Sequence, residues 1–171
     1  MAVTRKDQRA NVLLSTVTQS AANTLTFNEV NVGLNLFDKI GLNIHMIQYF
    51  YNANLYADMD IDQFISQAGL VGSNQISDIG SDERPVFDKK EIYANRVGTP
   101  TSFETQFFPL ISDFTGLPNG GLLLPPKPLY VAIDSTNGTT AHTLYMRLFF
   151  TIVALKDADY FELLETFRFF E

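Results

Sequence analysis

Apolar and polar residues alternate with a period of two through much of this chain, most cleanly near its C-terminal end. From Leu144 to Ile152 the even positions Leu144, Met146, Leu148, Phe150 and Ile152 are all apolar, while Thr143, Tyr145, Arg147, Phe149 and Thr151 are mixed. Successive side chains of a strand point to opposite faces, so this pattern predicts a strand with one buried and one partly wet face. Residues 11–18, 24–32, 42–51, 86–94, 102–112 and 129–134 read as further strands. In 24–32, Leu25 and Phe27 share one phase and Val30 and Val32 the other, which predicts a bulge or a corner between sheets. In 42–51, Leu42, Ile44, Met46 and Phe50 are expected on one face, with Asn43, His45, Ile47, Tyr49 and Tyr51 on the other. Asn137-Gly138 predicts a short hairpin turn, because both residues tolerate positive φ. The proline step Pro125-Pro126-Lys127-Pro128 predicts a rigid corner.

Helical spacing occurs twice. Asp60 with Gln63 three residues on makes a capping-box pattern, Ile61, Phe64, Ile65 and Ala68 form a stripe, and Gly69 is a natural stop. A short helix is therefore expected over about 60–69. Asp157 starts a second over about 157–170, with the stripe Tyr160, Leu163, Leu164, Phe167 and Phe170. About eight strands, two short helices and no alternation of strand with helix point to an all-β antiparallel sandwich or barrel. Polar residues 1–10 read as a flexible N-terminal arm and 11–171 as a single domain.

Composition narrows the function classes. The chain has 171 residues, 46% hydrophobic and only 18% charged, with fifteen Phe, seven Tyr and no Trp. That is enough to bury a core, and the aromatic content suits pleated surfaces. The low charge leaves two readings open: a polar uncharged surface, or a surface that meets other subunits, whose interface cores are depleted in charge. A formal net charge of −7 argues against a whole-surface grip on nucleic acid. Arg5, Lys6 and Arg9 form a short basic cluster, a candidate arm for a genome or a neighbouring subunit. No cysteine is present, so disulfides and Cys-based metal sites are excluded. No apolar run nears the roughly 20 residues of a membrane span, and no signal peptide is expected.

Candidate chemistry is thin. His45 and His142 lie far apart inside expected strands, without metal-ligand spacing, and read as structural histidines. Asp58, Asp60 and Asp62 begin like a calcium loop, but Gln63 stands where glycine is required and Gly69 where a bidentate Glu belongs. There is no nucleophile elbow and no phosphate-binding glycine loop. No catalytic residue, cofactor site, metal site or small-molecule substrate is expected.

Three segments carry a likeness to a known family: Ser20 to Phe27; Gly120 to Ala132, which holds the Leu122-Leu123-Leu124 triplet and the proline step; and Leu144 to Leu155 running into Asp159 to Leu164. Together they resemble the single jelly-roll capsid proteins of small icosahedral bacterial and archaeal viruses, including membrane-containing phages. The resemblance implies an eight-stranded jelly-roll sandwich that self-assembles in many copies into a virion shell, without enzyme activity. It implies synthesis in the host cytoplasm and, as partners, copies of itself and a second capsid protein. A long Arg-rich arm, common in small viruses without a membrane, is missing, so an inner face meeting a membrane or another protein fits better than genome condensation. The aromatic excess of the last helix makes Tyr160, Phe167, Phe169 and Phe170 the candidate subunit interface. The alternative is a β-sandwich binding module, a carbohydrate-recognition or trimeric receptor-binding or fibre-tip domain, with Tyr49, Tyr51 and Tyr145 stacking on sugars.

Overall fold

The computed structural model describes residues 4–5, 10–33, 39–52, 63–80, 85–96, 103–107 and 110–168. Its elements are β1 (Thr4–Arg5), β2 (Asn11–Thr18), β3 (Thr26–Glu29), β4 (Ile40–Asn52), β5 (Gln63–Val71), β6 (Val86–Arg96) and β7 (Phe103–Phe107). β8 (Ile111–Asp113), β9 (Leu122–Leu124), β10 (Tyr130–Thr136), β11 (Thr143–Ala154) and the helix α1 (Asp157–Arg168) complete the chain. Every strand pair is antiparallel. In one sheet β11 lies between β4 and the successive strands β1 and β2, and β4 carries β8 and β9 on its far side. The second sheet runs β3-β10-β5-β6-β7.

Among the described residues, joining the strands that share a column (β1 with β2, β8 with β9) leaves nine columns, one more than the eight expected. The extra one is β7, paired outside β6. The other eight stand in the two interleaved Greek keys of a jelly roll, in which most consecutive columns alternate between sheets. Between the sheets lies one main core, built from Val17, Leu42, Ile44, Ile47, Tyr49, Leu70, Val131, Ile133, Leu144, Met146 and Leu148.

Sequence and structure agree along β11, where Leu144, Met146, Leu148 and Phe150 are buried. Near Glu29 the apolar positions change face without the expected bulge: β3 pairs with β10 in unbroken register, Phe27 packs outside the second sheet with Val71, Ile76 and Ile79, and Val30, on the opposite face by simple alternation, enters the main core. The proline step carries the chain from β9 in one sheet to β10 in the other, with Pro125 and Pro126 buried. α1 follows the expected helix up to Arg168.

Three further expectations need correction. The segment expected as a helix over 60–69 is strand β5 from Gln63 onward, while residues 60–62 fall outside the described set. Phe64, Ser66, Ala68 and Leu70 face inward, and Gly69 and Val71 are covered outside by the loop carrying Ile76 and Ile79. Asn137-Gly138 does not close a hairpin, because β10 and β11 lie in different sheets; Asn137 does take the positive φ of a turn, 62°. Finally, β4 changes phase at His45. The register skips from Phe149↔Met46 to Phe150↔Ile44, so His45 is the bulged residue. Leu42 and Ile44 face the core before it, and Ile47, Tyr49 and Tyr51 after it, which turns Met46, Gln48 and Phe50 outward.

A polar clasp fixes the corners at one end of the sandwich. The Asn23 amide donates to the Gly138 carbonyl at 2.9 Å, and Gly138 N–H donates back to Asn23 Oδ1 at 2.8 Å. Gln19 Oε1 accepts from His142 N–H at 3.0 Å, and Gln19 Nε2 donates to Ser135 Oγ at 3.0 Å. Asn23 also holds φ at 57°, a region that disfavours most side chains. Asn23→Ala is expected to lower stability by about 2 kcal/mol, from two lost hydrogen bonds and a strained backbone. Chemical denaturation checks this; a loss below about 0.5 kcal/mol contradicts the clasp.

Candidate functional site

The residues singled out for chemistry are taken up by the fold. His45, half-buried at its bulge, has Nδ1 2.7 Å from the Gly120 carbonyl oxygen and Nε2 3.0 Å from Thr151 Oγ1. It thereby ties the loop before β9 to β11. His142 is buried, its ring edge-on to Phe64 at 5.1 Å between centroids. Asp58, Asp60 and Asp62 lie outside the described residues, and among the described ones no three His, Asp or Glu groups are set to hold a metal ion.

One polar cluster was not foreseen. Asp88, on β6, reaches between the sheets: Tyr49 O–H of β4 donates to its Oδ2 at 3.0 Å, and Ser112 Oγ of β8 donates to its Oδ1 at 2.7 Å. Burial raises the Asp88 carboxyl above its ordinary range, and the hydrogen bonds from Ser112 and Tyr49 only partly offset this. The Tyr49 hydroxyl is pushed well up by burial and then by the Asp88 charge. The alternation of 86–94 held the signal: Asp88 shares its face with the buried Ile92 and Ala94. A carboxylate in that phase ties the two sheets together.

The surface is more informative than the interior. Of the tyrosines considered for stacking on sugars, Tyr49 and Tyr51 point into the core and Tyr145 is exposed. Tyr145 lies on the outer face of the first sheet, where Leu14 is 72% exposed and Val12, Phe50 and Ile111 are also largely open. In the helix, Tyr160 and Leu163 are buried against Val153 and Leu155, and Phe167 meets Phe87 edge-on at 5.6 Å. Phe169 and Phe170 lie outside the described residues, and Phe161, 62% exposed, is the outward aromatic of α1. Of the basic arm, the backbone of Thr4–Arg5 pairs with Val153 and Ala154 as β1, while Lys6 and Arg9 lie outside the described residues.

Among solved structures, the chain superposes on the VP1 protein of Merkel cell polyomavirus in its unassembled pentamer with a TM-score of 0.55, covering 91% of this chain and 99% of that one at 9% identity. VP1 of trichodysplasia spinulosa-associated polyomavirus, in complex with GM1 oligosaccharide, gives 0.55 over the same shares at 8% identity. The Merkel cell protein in complex with GD1a oligosaccharide gives 0.51 at 8%. The fold is that of viral jelly-roll capsid proteins. No protein-family model matches the sequence, and no curated protein does. At these identities the likeness is one of fold, in keeping with a two-sheet frame that tolerates wholesale sequence change while its inward alternation is kept. Among the described residues no helix is long and apolar enough to cross a membrane.

Proposed function

We propose that this chain is a structural coat protein whose copies assemble into an icosahedral virion shell, without enzymatic activity. The observation that carries the reading is the jelly roll itself, shared over 91% of the chain with capsid proteins. A rigid two-sheet frame holds its loops and faces in fixed directions, which lets identical copies close by symmetry. Copies of itself are the principal partner; a second capsid protein, a membrane or a genome on the inner face would be further ones, met by the basic cluster of Lys6 and Arg9 beside the strand-paired Arg5. Residues 1–10 are proposed as the N-terminal arm and 11–171 as the shell domain, made in the host cytoplasm and located in the virion.

The last helix is the proposed contact to a neighbour, through Phe161 and the tail that holds Phe169 and Phe170. Sedimentation velocity and negative-stain microscopy of the purified chain are expected to show capsomers or closed particles; a monomer at every concentration overturns the reading. Deleting residues 166–171 is expected to impair particle formation. Because Phe167 packs on Phe87 within the chain, Phe161→Ser separates contact from folding: particle yield falls while the melting temperature holds.

A second reading, a β-sandwich binding module of the carbohydrate-recognition or receptor-binding kind, is favoured by the oligosaccharide complexes of two similar VP1 structures and by the exposed Tyr145. Oligosaccharide binding by a small oligomer that forms no particles would select it.

A further inference from the structure

Among the described residues, the outer face of the first sheet is covered at one end only. There α1 packs Tyr160 and Leu163 against Val153 and Leu155. Toward the other end the strand register builds an uncovered grid. Thr16, Tyr145 and Phe50 form one row across β2, β11 and β4; Leu14, Arg147, Gln48 and Ile111 form the next across β2, β11, β4 and β8; Val12, Phe149, Met46 and Asp113 form the third. Leu14, Val12, Ile111, Phe50 and Tyr145 on this grid are each more than two-fifths exposed. Four columns ~4.8 Å apart and about five residues along each strand give roughly 300 Å² of flat sheet. A standard interface buries about 800 Å² per partner, so the grid matches the apolar centre of one, with polar neighbours as its rim. Exposed apolar patches of a few hundred Å² are often functional contact sites.

Charge decides the occupant. Arg147 stands at the middle of the grid, its guanidinium carbon 5.4 Å from the centroid of the Phe50 ring, and it forms no ion pair among the described residues. The carboxylate on the face, Asp113, sits in the outermost column, and its Oδ1 already accepts two hydrogen bonds from Thr115. The chain as a whole carries nineteen acidic residues against twelve Lys and Arg. An apolar face centred on one cation, on a molecule acidic elsewhere, complements another surface of the same molecule. It does not complement itself: a two-fold packing centred on the grid sets Arg147 against Arg147.

We propose that this face seats a second copy of the chain head to tail, with Arg147 meeting a carboxylate on a different, acidic surface of that neighbour. The proposal rests on the coat-protein reading and gives it an interface. Contacts between unlike surfaces extend from copy to copy and close into rings when the rotation allows.

Leu14→Glu and Arg147→Glu, combined in one chain, test it by sedimentation velocity and negative-stain microscopy. Both side chains point outward, so an unchanged melting temperature is the control for folding; Leu14→Ser replaces the pair if that control fails. The double variant is expected to stay monomeric where wild type assembles. Mixed into wild type as a minor component, it still offers its intact acidic surface, caps growing assemblies and lowers particle yield by more than its share. Normal assembly of the double variant overturns the proposal. A fall in yield only in proportion to the variant overturns the head-to-tail arrangement. Loss of oligosaccharide binding with assembly intact assigns the face to a sugar and also overturns it. Wild type that never assembles fails the coat-protein reading instead, before any substitution is made.

Discussion

Phe64→Ala is expected to lower stability by about 3–5 kcal/mol, whereas Ile65→Ala, its chain neighbour, costs about 1 kcal/mol. Phe64 is fully buried and packs with Ile92 and Ala94 of β6. Its ring also meets His142 edge-on and lies under Gly138, so truncation opens a cavity where β5, β6 and the β10–β11 crossing converge. Ile65 points the other way, level with Tyr93 on one side and Thr136 on the other, and is only partly buried. The contrast separates strand from helix. On a helix, Phe64 and Ile65 would share one apolar stripe and their truncations would cost similar amounts. Urea unfolding of the two variants measures the difference; near-equal losses would falsify the strand assignment.

The same pair shows why this segment was hard to read from sequence. Apolar alternation reveals a strand only when one of its faces is wet. β5 is covered inside by the main core and outside by the loop bearing Ile76 and Ile79, so its apolar positions run on both faces and mimic a helical stripe. β11 keeps outward Tyr145 and Arg147 in solvent, and its alternation was plain. The turn at Asn137 was legible as a backbone conformation. Which sheet the chain enters next depends on remote pairing, and a local signal carries no such information. The bulge at His45 was hidden in the same way, since nothing near residue 45 announces a skipped register. Without it, Met46 and Phe50 share a face with Leu42 and Ile44, whereas the skipped register turns them outward beside Tyr145 and Arg147. The β11 part of the candidate surface, Tyr145 and Arg147, was legible as the wet face of a strand, while the β4 part depended on the skipped register.

Tyr49→Ala is expected to cost about 4 kcal/mol or more, and Tyr49→Phe about 1–3 kcal/mol. The alanine variant loses a large buried side chain at the junction of the two sheets and also the hydroxyl donor of Asp88. The phenylalanine variant keeps the volume and removes only the donor, leaving Ser112 to hold the carboxylate alone. The Asp88 carboxyl then titrates even higher. Its wild-type value is already raised by burial, so the folded chain takes up this proton at a higher pH than the unfolded chain does. Where the folded state binds more protons, stability falls as pH rises. The contribution is therefore fully present below the unfolded value near pH 4, is lost as pH climbs through the raised folded value, and stays lost above it. Asp88→Asn removes this group from the titration. Its stability-against-pH curve is expected to lack the fall that wild type shows in that window, while keeping the slopes set by other carboxylates. Curves that run parallel for wild type and Asp88→Asn from about pH 4 upward would show that Asp88 titrates as an ordinary surface acid, and that the tie between the sheets is made by packing alone.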